Sequence, residues 1–263
     1  MRKEWKRASS SPLFLLSTAV FFLCLQGFAL PAFIQDRILE PVEYRQSALA
    51  LSLGSFFFGG VILLLPFLAP MAHAVSQVDD LRSGMMQWCV LRSSVGRYAR
   101  SKMVSCFLAS AAGMGGAFAV HAVLWNLLAV PYDPIMYPAH EIGFLEESFF
   151  FSWATVEHGM PIYVEICLGL AFSAGIWSVA GLAAAVWVPD KLLVVTIPAC
   201  VYKLWGSQLS YYLFGIRLQG PDTLFNDAQT IPRILEVLAV YGVLLVVSGV
   251  VYYAGLKRRA CHA

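Results

Sequence analysis

Residues 103–132 read MVSCFLASAAGMGGAFAVHAVLWNLLAVPY, 30 consecutive positions without an Asp, Glu, Lys or Arg. About 20 residues of helix cross a hydrocarbon core of about 30 Å, and this stretch exceeds that length. It does not stand alone. Uncharged runs also extend from Ala8 to Gln35, Gln46 to Val78, Ile166 to Pro189 and Val237 to Leu256. Hydrophobic residues make up 59% of the 263 positions and charged ones 13%, with a mean hydropathy of +0.69. Soluble domains are about 45–50% apolar and about 25% charged. Lipid offers no partner to a bare backbone, so spanning segments are helices or closed barrels. Continuous apolar runs lack the alternation of barrel strands. The chain reads as an all-α polytopic membrane protein.

About six spans are predicted, near residues 12–34, 48–71, 103–130, 162–187, 192–214 and 235–256. Pro198 interrupts the fifth and Lys203 sits inside it, which leaves a short, kinked or partly re-entrant span open. The opening MRKEWKR resembles a signal-peptide n-region, but the apolar run from Pro12 to Ile34 is longer than an h-region of about 7–15 residues. It is read as an uncleaved span. Basic residues then fix the orientation. With the N-terminus inside, cytoplasmic segments hold 13 of the 18 Lys and Arg residues, in clusters at 2–7, 82–102, 191 and 257–259. Outer segments hold Arg37, Arg45, Arg217 and Arg233, and the 131–161 loop carries Asp133, Glu141, Glu146, Glu147 and Glu157 with no cation. Both termini are expected in the cytoplasm, in a plasma-type membrane. Ala109, Gly113 and Ala117, and again Gly169 and Ser173, repeat small residues at the spacing that lets helix backbones approach, in a bundle or across a dimer seam.

The sizeable cytoplasmic loop reads VDDLRSGMMQWCVLRSSVGRYARSK, residues 78–102. Val78, Leu81, Met85, Trp88 and Cys89 share one face at helical spacing, which predicts a short amphipathic helix along the membrane face. A break at Gly96 and a basic lead into the third span follow. On positional grounds this is either a loop obeying the positive-inside rule or a docking element for a cytoplasmic partner.

The residues Asp80, Ser83, Gly84, Leu91, Ser93, Arg97, Tyr98 and Lys102 stand in an order similar to the second-to-third-span loop of type 2 ABC-transporter permeases. The six-span layout resembles that family across nearly the whole chain, while specific residues match over about 25 positions. The resemblance implies a single permease domain over residues 1–263, working as a homo- or heterodimer with a second permease subunit. A separate ABC ATPase chain would bind ATP and Mg; this chain has no G-x-x-x-x-G-K-[ST] phosphate loop and would bind no cofactor directly. Closure of that ATPase would push on a coupling helix over 79–95. Asp79, Asp80 and Arg82, with Leu81, Ser83, Gly84 and Arg92, would form the docking surface, and Arg97, Tyr98 and Lys102 would hold the next span at the headgroups. The family's outer segment between spans five and six re-enters and closes the outer mouth, a role the resemblance carries to Tyr211, Tyr212 and Phe214. The 131–161 loop is longer than the family's, and its run Phe149-Phe150-Phe151-Ser152-Trp153 suits an interfacial aromatic belt.

Enzyme readings fare worse. Glu146-Glu147 begins an EExxxR-like motif, but position 151 is Phe; His140-Glu141 begins HExxH, but position 144 is Phe. Six scattered cysteines form no CxxC, so no metal site or disulfide framework is expected. Glu165 and Lys203 either snorkel to the interface or contact the transport pathway. His121 reads as a packing histidine rather than a proton carrier. Nothing points to nucleic acid. The function expected is the permease subunit of an ABC exporter handling a peptide, drug or lipid-like substrate. A secondary transporter or channel-like protein, or a membrane assembly or immunity protein, is the alternative.

Overall fold

Apolar side chains with no charged neighbours leave the backbone to satisfy itself, and the uncharged blocks accordingly fold as helices. The structure, a computed structural model, describes residues 5–7, 10–39, 45–57, 61–132, 160–204 and 231–261. Its helices run α1 (Pro12–Leu39), α2 (Ala48–Phe57), α3 (Val61–His73), α4 (Ser76–Arg82), α5 (Met85–Ser93), α6 (Val95–Leu128), α7 (Met160–Trp187), α8 (Lys191–Leu204) and α9 (Ile231–Cys261). Among the described residues, four segments are long and apolar enough to cross a bilayer: Pro12–Leu39, Val95–Leu128, Ile162–Trp187 and Leu238–Cys261. The protein is all-helical and membrane-embedded. The expected second span corresponds to α2 and α3, with residues 58–60 outside the described ones. Of the expected fifth span, α8 accounts for 14 residues, about 21 Å of helix. The outer aromatic run and Tyr211, Tyr212 and Phe214 lie outside the described residues.

The α6 and α7 helices form the central pair. Against them pack α9 on the α7 side, α1 on the α3 and α6 side, and α8 between α3 and α7. The main core joins Phe21 and Leu25 of α1, Leu65 of α3, Phe118 of α6 and Ile166 and Trp177 of α7. Small residues set these distances. A Cβ on Gly115 would stand 3.0 Å from the Ala171 Cβ and 3.3 Å from the Cys167 carbonyl oxygen, so α6 and α7 meet almost backbone to backbone. At Gly181 a Cβ would fall 2.6 Å from the Pro70 Cβ and 3.2 Å from the Val194 carbonyl. Hydroxyls add directional links, Ser110 Oγ donating to the Ala69 carbonyl at 2.7 Å.

Two ends of the bundle are pinned differently. At one, Ala48 N–H donates to the Val130 carbonyl at 2.8 Å, Arg37 to the Leu128 carbonyl at 3.1 Å, and Gln46 N–H to Asp36 Oδ2 at 2.9 Å. These bonds tie the end of α1, the start of α2 and the end of α6. The other end carries the clusters of basic residues and the short helices α4 and α5.

Those two helices correct the expectation of one amphipathic rod. Gly84, at φ +69°, turns the chain between α4 and α5, and Ser94, at φ 104° and ψ 149°, turns it again before α6. The turn expected at Gly96 lies at Ser94, and Gly96 sits in the first turn of α6. An L-residue in that region stores about 1–3 kcal/mol of strain.

Two outcomes follow for stability in detergent. Gly181→Ala should lower the melting temperature through overpacking worth about 1–3 kcal/mol, while Gly116→Ala, whose Cβ meets nothing within 4 Å, should hold or raise it. Ser94→Gly should raise the same melting temperature by relieving backbone strain of about 1 kcal/mol. Fluorescence-monitored thermal unfolding of the purified variants reads both.

Candidate functional site: a buried carboxylate under a surface hairpin

The chain leaves α3 through Val75 and enters α4 with two polar side chains on its inner side. Gln77 and Asp80 lie on the same face at helical spacing, and both are buried. A lone carboxylate in such a place costs several kcal/mol unless it is paired and hydrogen-bonded. Asp80 is paired. Its Oδ2 accepts from the Lys102 ammonium at 2.7 Å and lies 3.2 Å from the Tyr98 hydroxyl, and its Oδ1 accepts from the Arg7 guanidinium. Lys102 is fully buried.

A second acceptor extends the cluster. Gln77 Oε1 lies 3.1 Å from the Tyr98 hydroxyl and 3.0 Å from the Tyr252 hydroxyl. The single Tyr98 proton is therefore shared between the amide oxygen and the carboxylate. Through these contacts the short helix α4 is joined to the N-terminal segment (Arg7), the start of α6 (Tyr98, Lys102) and the end of α9 (Tyr252). Around them close Val75, Val78, Leu182, Val186 and Leu256. The exposed side of α4 is tied more lightly: Asp79 pairs with Lys191 at 2.7 Å with each side chain 48% exposed, and Arg82 donates to the Pro189 carbonyl at 2.9 Å. Exposed pairs of this kind contribute about 0–1 kcal/mol.

Asp80 and Lys102 thus depart from the sequence-based assignment. Asp80 is turned inward instead of lining an exposed docking face, and Lys102 reaches the carboxylate instead of the lipid headgroups. The reason is phase. On a helix, Asp79 and Asp80 point about 100° apart, and only Asp80 shares the face of Gln77 and Val78 that α6 and α7 cover. Leu81 is partly buried against the same core, and Ser83 Oγ closes α4 on the Asp79 carbonyl at 2.7 Å.

Beyond Gly84 the pattern inverts. On α5, Met86 is buried at 3% exposure, whereas Met85, Trp88 and Leu91 stand 47%, 67% and 80% exposed along one face. This hairpin is thus rooted through a buried ion cluster and presents an apolar stripe outward. Arg92 and Arg97 lie beyond it, both exposed, beside the junction of α5 and α6. Gln77, Tyr252, Arg7 and Lys191, which complete the cluster and its rim, carry no motif of their own; the one hint is the amide of Gln77 in the uncharged run that ends before Asp79.

The other candidates lie apart. Glu165 is half-buried on α7, and Lys203 is exposed at the end of α8. His121 is buried in the middle of the bundle with both ring nitrogens engaged, Nδ1 at 3.0 Å from Gln26 Nε2 and Nε2 at 2.8 Å from Ser55 Oγ. Ser55 already donates to the Ser52 carbonyl at 2.7 Å, so it accepts from His121 Nε2–H, and Nδ1 accepts from Gln26. A neutral imidazole is fully satisfied there, as a packing histidine requires.

Comparison of the chain with protein-family models, with curated proteins and with solved structures finds no match.

If the carboxylate organises this end of the bundle, Asp80→Asn should destabilise the protein by about 3 kcal/mol, since it leaves the buried Lys102 without its counter-charge, and Lys102→Met by less, since Asp80 keeps Arg7. The double variant should recover a substantial part of the loss. Equilibrium or thermal unfolding of the four proteins in one detergent gives the coupling, and simple additivity would contradict the cluster's role.

Proposed function

We propose that the chain is the membrane-spanning permease subunit of an ATP-driven exporter of the type 2 ABC kind, crossing the membrane about six times with both termini in the cytoplasm. A separate ATPase chain would supply nucleotide binding, and a second permease subunit would complete the pathway. The observation that carries this reading is the α4–α5 hairpin: an exposed apolar stripe of Met85, Trp88 and Leu91 on a support bonded through Asp80 to α6 and the N-terminal segment and through Gln77 to α6 and α9. The order of residues in 78–102 supports it from the sequence side.

The physical logic is that of a lever. A force on α5 passes through Gly84 into α4. There the Asp80–Lys102 pair and the two tyrosines on Gln77 couple it to the ends of α6 and α9. Charged hydrogen bonds in a dry site resist stretching more than apolar contacts do, so α4 moves with those helix ends rather than sliding over them. The Asp79–Lys191 and Arg82–Pro189 contacts, being exposed, are the ones that would break and re-form during such a motion. Peptides, hydrophobic drugs and lipid-linked molecules all suit a bundle whose outer faces are this apolar.

Co-expression with an ABC ATPase from the same genome tests the reading. Burying Trp88 and Leu91 at an interface is worth about 2 kcal/mol each, so Trp88→Glu/Leu91→Glu should weaken ATPase capture about a thousandfold while leaving the melting temperature near wild type. Capture that survives the double substitution would place the stripe in the headgroup layer instead. Reaction of Cys89 with a membrane-impermeant thiol reagent applied from outside the cell would remove the proposal altogether.

A further inference from the structure

Between the end of α5 and the start of α6 lies an open cleft of about 1030 Å³. Three guanidinium groups line it, those of Arg92, Arg97 and Arg100, together with the hydroxyls of Ser93, Ser94 and Ser101. No carboxylate belongs to its wall. Among the described residues none of the three arginines has an ion pair or a side-chain hydrogen bond, in contrast to Arg7, Arg37, Arg82 and Arg259, which do. Three like charges around one hollow repel each other, and an arrangement of this kind is stabilised by an anion. Guanidinium forks match phosphate oxygens in pairs, serine hydroxyls donate to the same oxygens, and the N-terminal end of α6 adds a favourable dipole.

The floor of the cleft says which anion. It is Val104, and Val104 belongs to an exposed line on α6 that starts with Arg97 and Arg100 and continues through Leu108 and Ala112. From Arg100 to Ala112 is about 18 Å of helix, slightly more than one leaflet's half of a core of about 30 Å. A basic cleft thus opens directly onto an apolar track one leaflet deep. We propose that it holds the phosphate of an anionic phospholipid, with the acyl chains lying along Val104, Leu108 and Ala112. The site needs no ATPase, and it stands or falls separately from the transport reading.

Native mass spectrometry of the full-length protein, released from detergent with phosphatidylglycerol or phosphatidylcholine of the same acyl chains, tests it. Wild-type protein should retain phosphatidylglycerol over phosphatidylcholine by about tenfold or more, the scale of one or two charge-assisted pairs. Arg97→Gln/Arg100→Gln should abolish that preference, whereas Lys257→Gln/Arg258→Gln, which removes the same charge at the end of α9, should preserve it. Val104→Trp, which fills the floor without changing charge, should lower phosphatidylglycerol retention several-fold. Retention at the wild-type level in either cleft variant overturns the proposal. Displacement of the lipid by excess inorganic phosphate also overturns it, marking the cleft as a site for a soluble phosphate.

Discussion

Asp80 is a carboxylate placed where water does not reach, and the basic end of the molecule is built around that fact. A buried anion requires counter-charge and hydrogen-bond donors at once, and here they come from more than one part of the chain. Lys102 comes from α6, Arg7 from the N-terminal segment, and the Tyr98 hydroxyl is shared with Gln77, which in turn receives Tyr252 from α9. Apolar contacts alone would let these helix ends slide, because lipid tails are as apolar as the side chains they would replace. The ion cluster makes one relative placement of α4, α6 and α9 far better than its neighbours. Such a pair adds little net stability compared with a well-packed apolar substitute. What it fixes is position.

The two ends of the bundle therefore differ in kind. At the end holding Ser47 and Val130, α1, α2 and α6 are stitched by main-chain bonds, with Arg37 and Asp36 each reaching a backbone atom. Each of these has a backbone atom on at least one side. At the basic end the buried ties are side chain to side chain, and they converge on Gln77 and Asp80 of a seven-residue helix. Between the ends, close approaches at Gly115 and Gly181 keep α6, α7, α3 and α8 near backbone contact, a packing that resists bending more than sliding. Force applied at the basic end is thus passed along intact helices.

Much of the fold was legible because hydrocarbon thickness imposes length: the long uncharged blocks had to be helices, and four of them are long enough to cross. The boundaries were less so. Glycine at position 96 suggested a break by its intrinsic preference, yet the chain turns at Ser94, where α5 and the start of α6 hold the residue at positive φ. The candidate site was legible in composition and misread in direction. Asp79 and Asp80 are adjacent and chemically identical, and only their phase against Gln77 and Val78 decides which one is buried. Tyr252 could not be paired with Gln77, nor Arg7 with Asp80, from one sequence, since their approach is set by the packing of α9 and the N-terminal segment over more than seventy intervening residues.

The basic residues show why a count of charges, sufficient for orientation, was insufficient for function. Eleven Lys and Arg side chains are described at this end, from Lys6 to Arg259, and positive-inside reasoning treats them alike. The structure separates them by what each guanidinium or ammonium meets. Lys102 is consumed by a carboxylate, Arg82 and Arg259 by carbonyls, Lys191 by an exposed aspartate, and Arg258 lies over the Trp187 ring. Arg92, Arg97 and Arg100 instead share a hollow, and their charge is directed at whatever enters it. A cation already satisfied within the fold contributes to shape; one held open beside an apolar track contributes to recognition. Both kinds follow from a few side chains at helical spacing on α6, where Tyr98 and Lys102 point into the bundle while Arg97 and Arg100 point away from it.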